Sequence, residues 1–545
     1  MHTSDILSYF KKYGWVIALI AICVLGSWMR LTRYADTLVI KSDQARDVLI
    51  VSRAMQAGFD SLPLLGPQVG GTDLRLGPIF YYFQYVSGKL FGGRTESFSY
   101  PDLLFGILTL PLLFLLLRRF FTRPLSLWLA ALGSVSFLLI TFSRFGWNPN
   151  SLPFFTTLFA WSFLKALDHT DVRKRLCFIT LSAISTGIIA QLHLAAILGL
   201  GIGLGLFIIL FRPLRYKEVL LFIAIVLALH TPMMLSEYRT GGENSQAFIQ
   251  AATKKGSEDT GHAWYEKTFR AYQQNAGATW LILTGQQNTD TILTKGRLIK
   301  CDKGCKAALP YSLLAMALLG SILVAGYLSW KSAESPERKQ ALSFIMLWMI
   351  GFLLLTIPLA YQLETRFFLS IIPPLFILIG LTVQRISNRL AGKTAKALLM
   401  FGGIAILLLQ FHTSTAYIRE LTRSQTSAQE SSRDLRFGTA PKVTLGQLRS
   451  IAQESSRHFA PNEPVIVTGE SLYAKAMYYV LSSEFDHPGC YLKGDNDIPS
   501  SFNRLIIEYA PDDKTPVTFG TLSAAFTPAI PSKTAAPLPK GCLTY

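Results

Sequence analysis

Lys41-Ser42-Asp43-Gln44-Ala45-Arg46-Asp47 opens the stretch that decides the reading, and Arg75-Leu76-Gly77-Pro78-Ile79-Phe80-Tyr81-Tyr82 closes it. Charged and turn-forming residues crowd together here, directly after the first long hydrophobic segment. That placement makes the stretch a loop lying against a membrane surface. Its flanks say why a membrane is involved. Half of the 545 residues are hydrophobic and 16% are charged, with a mean hydropathy of +0.34. A soluble chain carries about 25% charged residues. The apolar residues also come in runs, and about 20 helical residues cross a bilayer core of about 30 Å. Repeated runs of that length argue for α-helical spans rather than a barrel.

The first run, 15–31, follows Lys11 and Lys12. It lacks the small-residue cleavage pattern of a signal peptide and is long enough to span, so it reads as a retained helix with a cytoplasmic N-terminus. Further spans are expected at 102–117, 125–143, 151–167, 176–193, 195–211, 218–236, 309–330, 341–361, 367–384 and 397–413, eleven in all. The predicted inner loops collect Arg118, Arg119, Arg123, Arg173, Lys174, Arg175, Arg212, Arg215, Lys217, Arg338, Lys339, Arg385 and Arg389. The short outer loops hold chiefly Arg144 and Arg366. This bias predicts a multi-pass protein of the inner membrane with its N-terminus inside and its C-terminus outside. The net charge of +18 belongs to that pattern and not to nucleic-acid binding.

The chain divides into a membrane domain, 1–423, and a soluble extracytoplasmic tail, 424–545. The first outer loop, 34–101, shows helical spacing at Val48, Val51 and Met55. The aromatic stretch 78–91 is amphipathic, and both read as interfacial helices. A second outer loop covers 237–308. In the tail, a helix over 445–459, an apolar run 464–467, a helix over 471–481 and a second run 505–507 predict a small α/β domain. Of the six cysteines, Cys23 and Cys177 sit in hydrophobic segments as apolar fillers. Cys301 with Cys305, and Cys490 with Cys542, are candidate disulfides if their regions face an oxidising compartment.

Several outer corners carry residues with chemical potential. Asp43 and Asp47 share one helix face with Arg46 between them. A carboxylate there can serve as a general base toward a hydroxyl, but Asp is also an ordinary helix-starting residue. Arg75 stands before Gly77-Pro78 and the pair Tyr81-Tyr82. It can bind a phosphate, with the tyrosines lining a sugar or lipid pocket, or it can be a snorkelling arginine in an aromatic belt. Arg144 and Asn148 lie in the turn Ser143-Arg144-Phe145-Gly146-Trp147-Asn148-Pro149-Asn150, His193 in the corner Gln191-Leu192-His193, and Glu237 and Arg366 in the pairs Glu237/Arg239 and Glu364/Arg366. Each has a plain structural alternative. Their collection on the outer side predicts a site at the extracytoplasmic surface. There is no phosphate-binding glycine loop and no carboxylate cluster that demands a metal, so no cofactor is expected, though the residues leave a divalent ion open.

Taken together these motifs resemble the GT-C fold membrane glycosyltransferases, in particular the bacterial relatives of the protein O-mannosyltransferases and of the lipid A aminoarabinose transferase. Asp43-Gln44-Ala45-Arg46-Asp47 is similar to that family's Asp-Glu-x-Arg-Tyr-like motif, with Gln44 in place of Glu. Gly77-Pro78-Ile79-Phe80-Tyr81-Tyr82 is similar to its Pro-Pro-Leu-Tyr-Tyr-like element, without the lysine that precedes it in the aminoarabinose enzymes. The likeness covers about residues 10–385. It implies inverting transfer of a monosaccharide from a polyprenyl-phosphate sugar to a lipid, glycan or protein acceptor, with Asp43 as base. The implied cations toward the leaving phosphate are Arg46, Arg75 and Arg366, backed by Tyr82 and His193. The rival classes are a lipid-linked-sugar flippase, which should show paired repeats and broken mid-membrane helices, and a structural envelope protein.

Overall fold

The computed structural model describes residues 3–257, 263–286, 303–360, 363–423, 443–493, 500–509, 518–519, 522–529 and 543–544. Cys301 and Cys542 lie outside them. Among the described residues, eight helices are long and apolar enough to cross a membrane. They are Tyr13–Leu31, Thr95–Leu117, Val172–Leu192, Leu194–Phe211, Leu309–Lys331, Pro336–Thr356, Thr365–Arg389 and Lys393–Thr422. A ninth crossing is possible if Tyr216–Leu229 and Thr231–Thr240, bent by 59° at His230, count as one.

The two remaining expected spans exist as shorter helices. Leu152–Asp168 has 17 residues, about 26 Å at 1.5 Å per residue. The 125–143 segment is broken. Arg123–Val135 and Phe137–Phe142 meet at Ser136, whose ψ of 119° is not helical. A break leaves backbone groups without helical partners, and apolar surroundings make that costly. The helix Lys393–Arg423 supplies the partners: Phe137 N–H donates to Gln410 Oε1 at 2.8 Å, and Ser414 Oγ donates to Val135 O at 2.8 Å. Elsewhere the bundle closes through small residues. Leu194–Phe211 packs on Pro336–Thr356, and a Cβ at Gly203 would sit 2.5 Å from Trp348 Cα. Such glycines let two backbones touch where no hydrophobic force from water drives them together.

The loop between the first two spans, 34–101, builds the platform for the site. Its main helix, Ser42–Ala57 (the loop helix), starts where Lys41 N–H donates to Gln44 Oε1 at 3.0 Å. Gln44 thus caps the helix start. Val48 and Val51 are buried, as their spacing predicts. The loop helix packs against Ile79–Leu90 on one side and against Ala474–Glu484 (the docking helix) on another.

The C-terminal region is a six-stranded sheet with two helices. Its strands are β1 Val465–Gly469, β2 Gly489–Tyr491, β3 Asn503–Tyr509, β4 Thr518–Phe519, β5 Leu522–Thr527 and β6 Leu543–Thr544, in the order β4-β5-β3-β1-β2-β6. β1 is parallel to both β2 and β3, with Val465 opposite Gly489 and Asn503, and the outer pairs are antiparallel. The connection from β1 to β2 is the docking helix, the crossover that a parallel pair requires. Cys490 in β2 is disulfide-bonded, while Cys23 and Cys177 are free thiols.

Candidate functional site

A cavity of about 1240 Å³ gathers residues from distant parts of the chain: Asp43 and Arg46, Trp147 and Asn148, His193, and Arg366. A glycine-containing turn, 67–74, forms one wall, and Phe248 and Lys267 come from the 237–308 segment. Leu194, Leu198, Leu355, Pro358 and Leu359 make an apolar side, contributed by the helices Leu194–Phe211 and Pro336–Thr356 and the residues that follow the latter. The cavity therefore has charged lining from the 34–101 loop and an apolar flank along the spans.

Each polar group is held by its neighbours. Arg46 donates from Nε and Nη2 to Asp47 Oδ1 at 2.9 and 2.8 Å, and from Nη1 to Asp43 Oδ1 at 3.2 Å. Asp47 is fully buried and also accepts from the Tyr81 hydroxyl at 3.2 Å, while its Oδ2 accepts from no described group. The Asp43 side chain stays 57% exposed. Asp47 and Tyr81 thus brace Arg46, and Asp43 faces the open space. Also on the lining, Arg366 pairs with Glu364 at 2.8 Å and lies 4.7 Å from the Trp147 ring centroid. Trp147 is itself placed by Asp102, which accepts its backbone N–H at 2.9 Å and the Ser151 hydroxyl. Asn148 Nδ2 donates to Leu192 O at 2.6 Å and ties this turn to the His193 corner. A single extended residue, His193, separates two spans, and its ring meets Phe367 edge-on at 5.0 Å.

The electrostatics follow from burial. Burial pushes the Asp47 carboxyl up to about 6, against the pull of Arg46. The same burial, then the nearby Asp47 charge, raises the Tyr81 hydroxyl. Burial alone would lower the Arg46 guanidinium, but Asp47 and then Asp43 hold it above its usual range. Among the described residues no three His, Cys, Asp or Glu side chains converge as metal ligands would.

Other predicted residues lie beside the cavity rather than on it. Tyr81 supports Asp47 from below. The Tyr82 ring meets that of Phe59 at a tilt of 43°, centroids 5.1 Å apart. The Arg75 side chain is exposed, and its backbone pairs both ways with the Asn244 amide at 2.8 and 3.1 Å. Arg144 is buried with its guanidinium on Met29 O, Arg30 O, Thr32 O and Thr37 Oγ1, where it closes the end of the first span. Glu237 accepts from Ser245 N–H at 3.2 Å at the following turn. Gln191 matters through packing: it accepts Ile79 N–H at 3.2 Å, and a Cβ on Gly77 would come within 2.3 Å of it. Sequence reasoning missed Trp147 as the platform for Arg366, Asp102 behind it, and Lys267 on the wall. Asp102, a lone acid at the start of an apolar run, was the one with a visible signal.

This helical bundle, with its 34–101 platform and C-terminal sheet, is a polytopic membrane protein of the GT-C fold. ArnT from Cupriavidus metallidurans has a similar structure in the apo state, with a TM-score of 0.58 at 13% identity over 96% of this chain and 100% of that one. The same protein bound to undecaprenyl phosphate matches with a TM-score of 0.54 at 13% identity, over 95% and 100% of the two chains. The archaeal oligosaccharyltransferase AglB from Archaeoglobus fulgidus, in complex with an inhibitory peptide and a dolichol-phosphate, matches with a TM-score of 0.50 at 12% identity, over 88% of this chain and 65% of that one. A family model described as dolichyl-phosphate-mannose-protein mannosyltransferase matches residues 76–235. No curated protein matches the sequence.

Proposed function

We propose that the protein is a membrane glycosyltransferase. It moves a monosaccharide from a polyprenyl-phosphate sugar to an acceptor hydroxyl on the extracytoplasmic side, with inversion and with Asp43 as general base. The observation that carries this is a cavity whose lining brings an exposed carboxylate, Asp43, together with Arg366, His193 and Asn148 and an apolar flank. In a displacement at an anomeric carbon, negative charge builds on the leaving phosphate oxygen. Preorganised cations lower that barrier, and a carboxylate must take the proton of the incoming hydroxyl. Arg366, fixed by Glu364 and Trp147, and Arg46 are the cations in this reading, and Lys267 adds a third charge. The apolar flank suits a prenyl chain. The undecaprenyl phosphate and dolichol-phosphate in the structural neighbours support a lipid phosphate donor, and the mannosyltransferase family model supports the reaction class. Arg75, Tyr82, Arg144 and Glu237 take no direct part. Residues 1–423 form the transferase unit in the inner membrane, with the N-terminus inside and the 424–545 domain outside.

The test is Asp43→Asn in purified full-length protein given labelled polyprenyl-phosphate sugars. Transfer should fall by about a hundredfold or more, the size of a general-base contribution, while donor binding changes little. Full transfer by the variant removes Asp43 as base. Lipid translocation without transfer by the parent protein would favour a flippase.

A further inference from the structure

The turn that joins Phe137–Phe142 to Leu152–Asp168 carries two cavity residues, Trp147 and Asn148. Several groups fasten it. Arg144 grips the end of the first span, and Gly146 lies against Ser99, where a Cβ would come 2.8 Å from Oγ and 3.3 Å from Cα. Asn150 Nδ2 donates to Phe145 O at 2.6 Å within the turn, and Asn148 Nδ2 donates to Leu192 O at 2.6 Å outside it. Asp102 does more than any of these. Its Oδ2 accepts Trp147 N–H at 2.9 Å and its Oδ1 accepts the Ser151 hydroxyl. One carboxyl thus holds both ends of the short helix Asn148–Ser151. Asp102 is 1% exposed, and no ion pair among the described residues includes it. A carboxyl withdrawn from water without a cation is costly. Its place in the first turn of Tyr100–Leu117 offsets part of that cost through the helix dipole. The rest is borne at the turn that presents Trp147 to the cavity.

We propose that Asp102 is a positioning residue for Arg366 and acts on it through Trp147. The proposal rests on the reading of Arg366 as a cation for the leaving phosphate. The contacts run without a gap. Asp102 holds the Trp147 backbone, the Trp147 ring lies 4.7 Å from the Arg366 guanidinium, and Arg366 lines the cavity. That separation is within the range of a cation–π contact. Arg366 has two other partners, and both are weaker guides. The ring of Phe367, its own neighbour in the chain, is 5.8 Å away. The side chain of Glu364 is 59% exposed, and an ion pair open to water holds a long side chain loosely. The direction of the guanidinium is therefore set chiefly by the Trp147 ring. The direction of the ring is set by a backbone that Asp102 fixes at one end and, through Ser151, at the other. Loss of the carboxyl frees the extended Trp147 backbone to turn, and the ring carries Arg366 with it. A shift of about 1 Å in such a group is enough to weaken its hold on a phosphate oxygen severely.

The test measures binding of undecaprenyl phosphate and of the neutral alcohol undecaprenol to the purified full-length protein. The phosphate carries the charge that builds on the leaving oxygen, and the alcohol reports the apolar flank alone. Arg366→Gln should weaken undecaprenyl phosphate about tenfold or more, the size of a lost charge-assisted hydrogen bond, and leave undecaprenol unchanged. Asp102→Ala should do the same. Asp102→Asn should restore most of the affinity, because its amide can accept from Trp147 N–H and donate to Ser151. Trp147→Leu leaves the Asp102 bonds in place and should reproduce the loss, which keeps the test decisive if Asp102→Ala does not fold. The double variant Asp102→Ala/Arg366→Gln should match Arg366→Gln within about twofold, since a residue that acts only through another adds nothing once that other is gone. Losses that multiply in the double variant overturn the proposal. So does a loss that extends equally to undecaprenol, follows a fall in Tm and is not restored by asparagine, because that is a purely structural role. Parent-level phosphate binding by Arg366→Gln removes Arg366 as the phosphate cation, and the proposal with it. A weakened Arg366→Gln beside parent-level Asp102→Ala or Trp147→Leu removes only the Asp102 proposal.

Discussion

Asp47 shows how one buried residue can pull activity and stability in opposite directions. Its carboxyl is raised from 3.8 to about 6 because burial disfavours the charge more than Arg46 favours it. The folded chain therefore binds a proton that the unfolded chain has lost between about pH 4 and pH 6. Stability from this group is fully present below that window and is lost as pH rises through about 6. Activity follows the other sign. Protonation below about 6 removes the anion that holds Arg46, so transfer should decline on the acid side of 6. Asp47→Asn keeps the shape and removes the titration. Tm measured from pH 4 to pH 7 should fall with rising pH in the parent relative to this variant. A constant difference between the two across that range would show that Asp47 does not titrate there. Asp43 had two readings in the sequence, helix start and catalytic base. The structure adds its exposure toward the cavity and a partner, Arg46, that is itself braced from behind.

At the scale of elements, the broken 125–143 segment carries the clearest consequence. Its hydrophobicity says it belongs in the bundle, and nothing in its own residues announces a break at Ser136. The break persists because Gln410 and Ser414, far along the chain, occupy the freed backbone groups. Gln410 also donates to Ile282 O at 2.8 Å, so it joins three elements. Gln410→Leu would leave the Phe137 N–H and the Ile282 carbonyl without that partner in a buried setting, at a cost of about 1–3 kcal/mol for an unsatisfied group. The expected outcome is a lower Tm for detergent-purified protein, with loss concentrated in this corner of the bundle. An unchanged Tm would mean that other groups satisfy the break. Other elements were plain from pattern alone. The loop helix followed from Val48, Val51 and Met55, and the His193 corner from two apolar runs with no room between them.

For the whole molecule, the junction between sheet and loop is the feature that ties scaffold to chemistry. Arg449 stands between Glu96 and Glu484, and Glu96 is nearly inaccessible to solvent. Arg449→Met would leave Glu484 without its cation and Glu96 with only the exposed Arg94 at 3.2 Å, a change that costs on the order of 3 kcal/mol when the pair is withdrawn from water. Amide exchange should then quicken in both the docking helix and the loop helix, and transfer should weaken although Arg449 touches neither donor nor acceptor. Exchange confined to the docking helix would show that the loop helix holds its place alone.

The membrane class, most of the helices, the helix of the 34–101 loop and the strand and helix sequence of the C-terminal region were legible in the chain. Those features depend on local hydrophobic period, on charge bias and on turn chemistry, all of which act between near neighbours. The same patterns left Asp43, Asn148, His193 and Arg366 as separate points with bland alternatives. They also counted Arg144 alongside these residues, although its guanidinium closes a helix end. The break at Ser136, the stacking of Arg366 on Trp147 and the bracing of Arg46 by a buried Asp47 that Tyr81 holds depend on packing between segments far apart in sequence. Burial, hydrogen-bond satisfaction and close charge pairing are properties of that packing, so no local pattern records them.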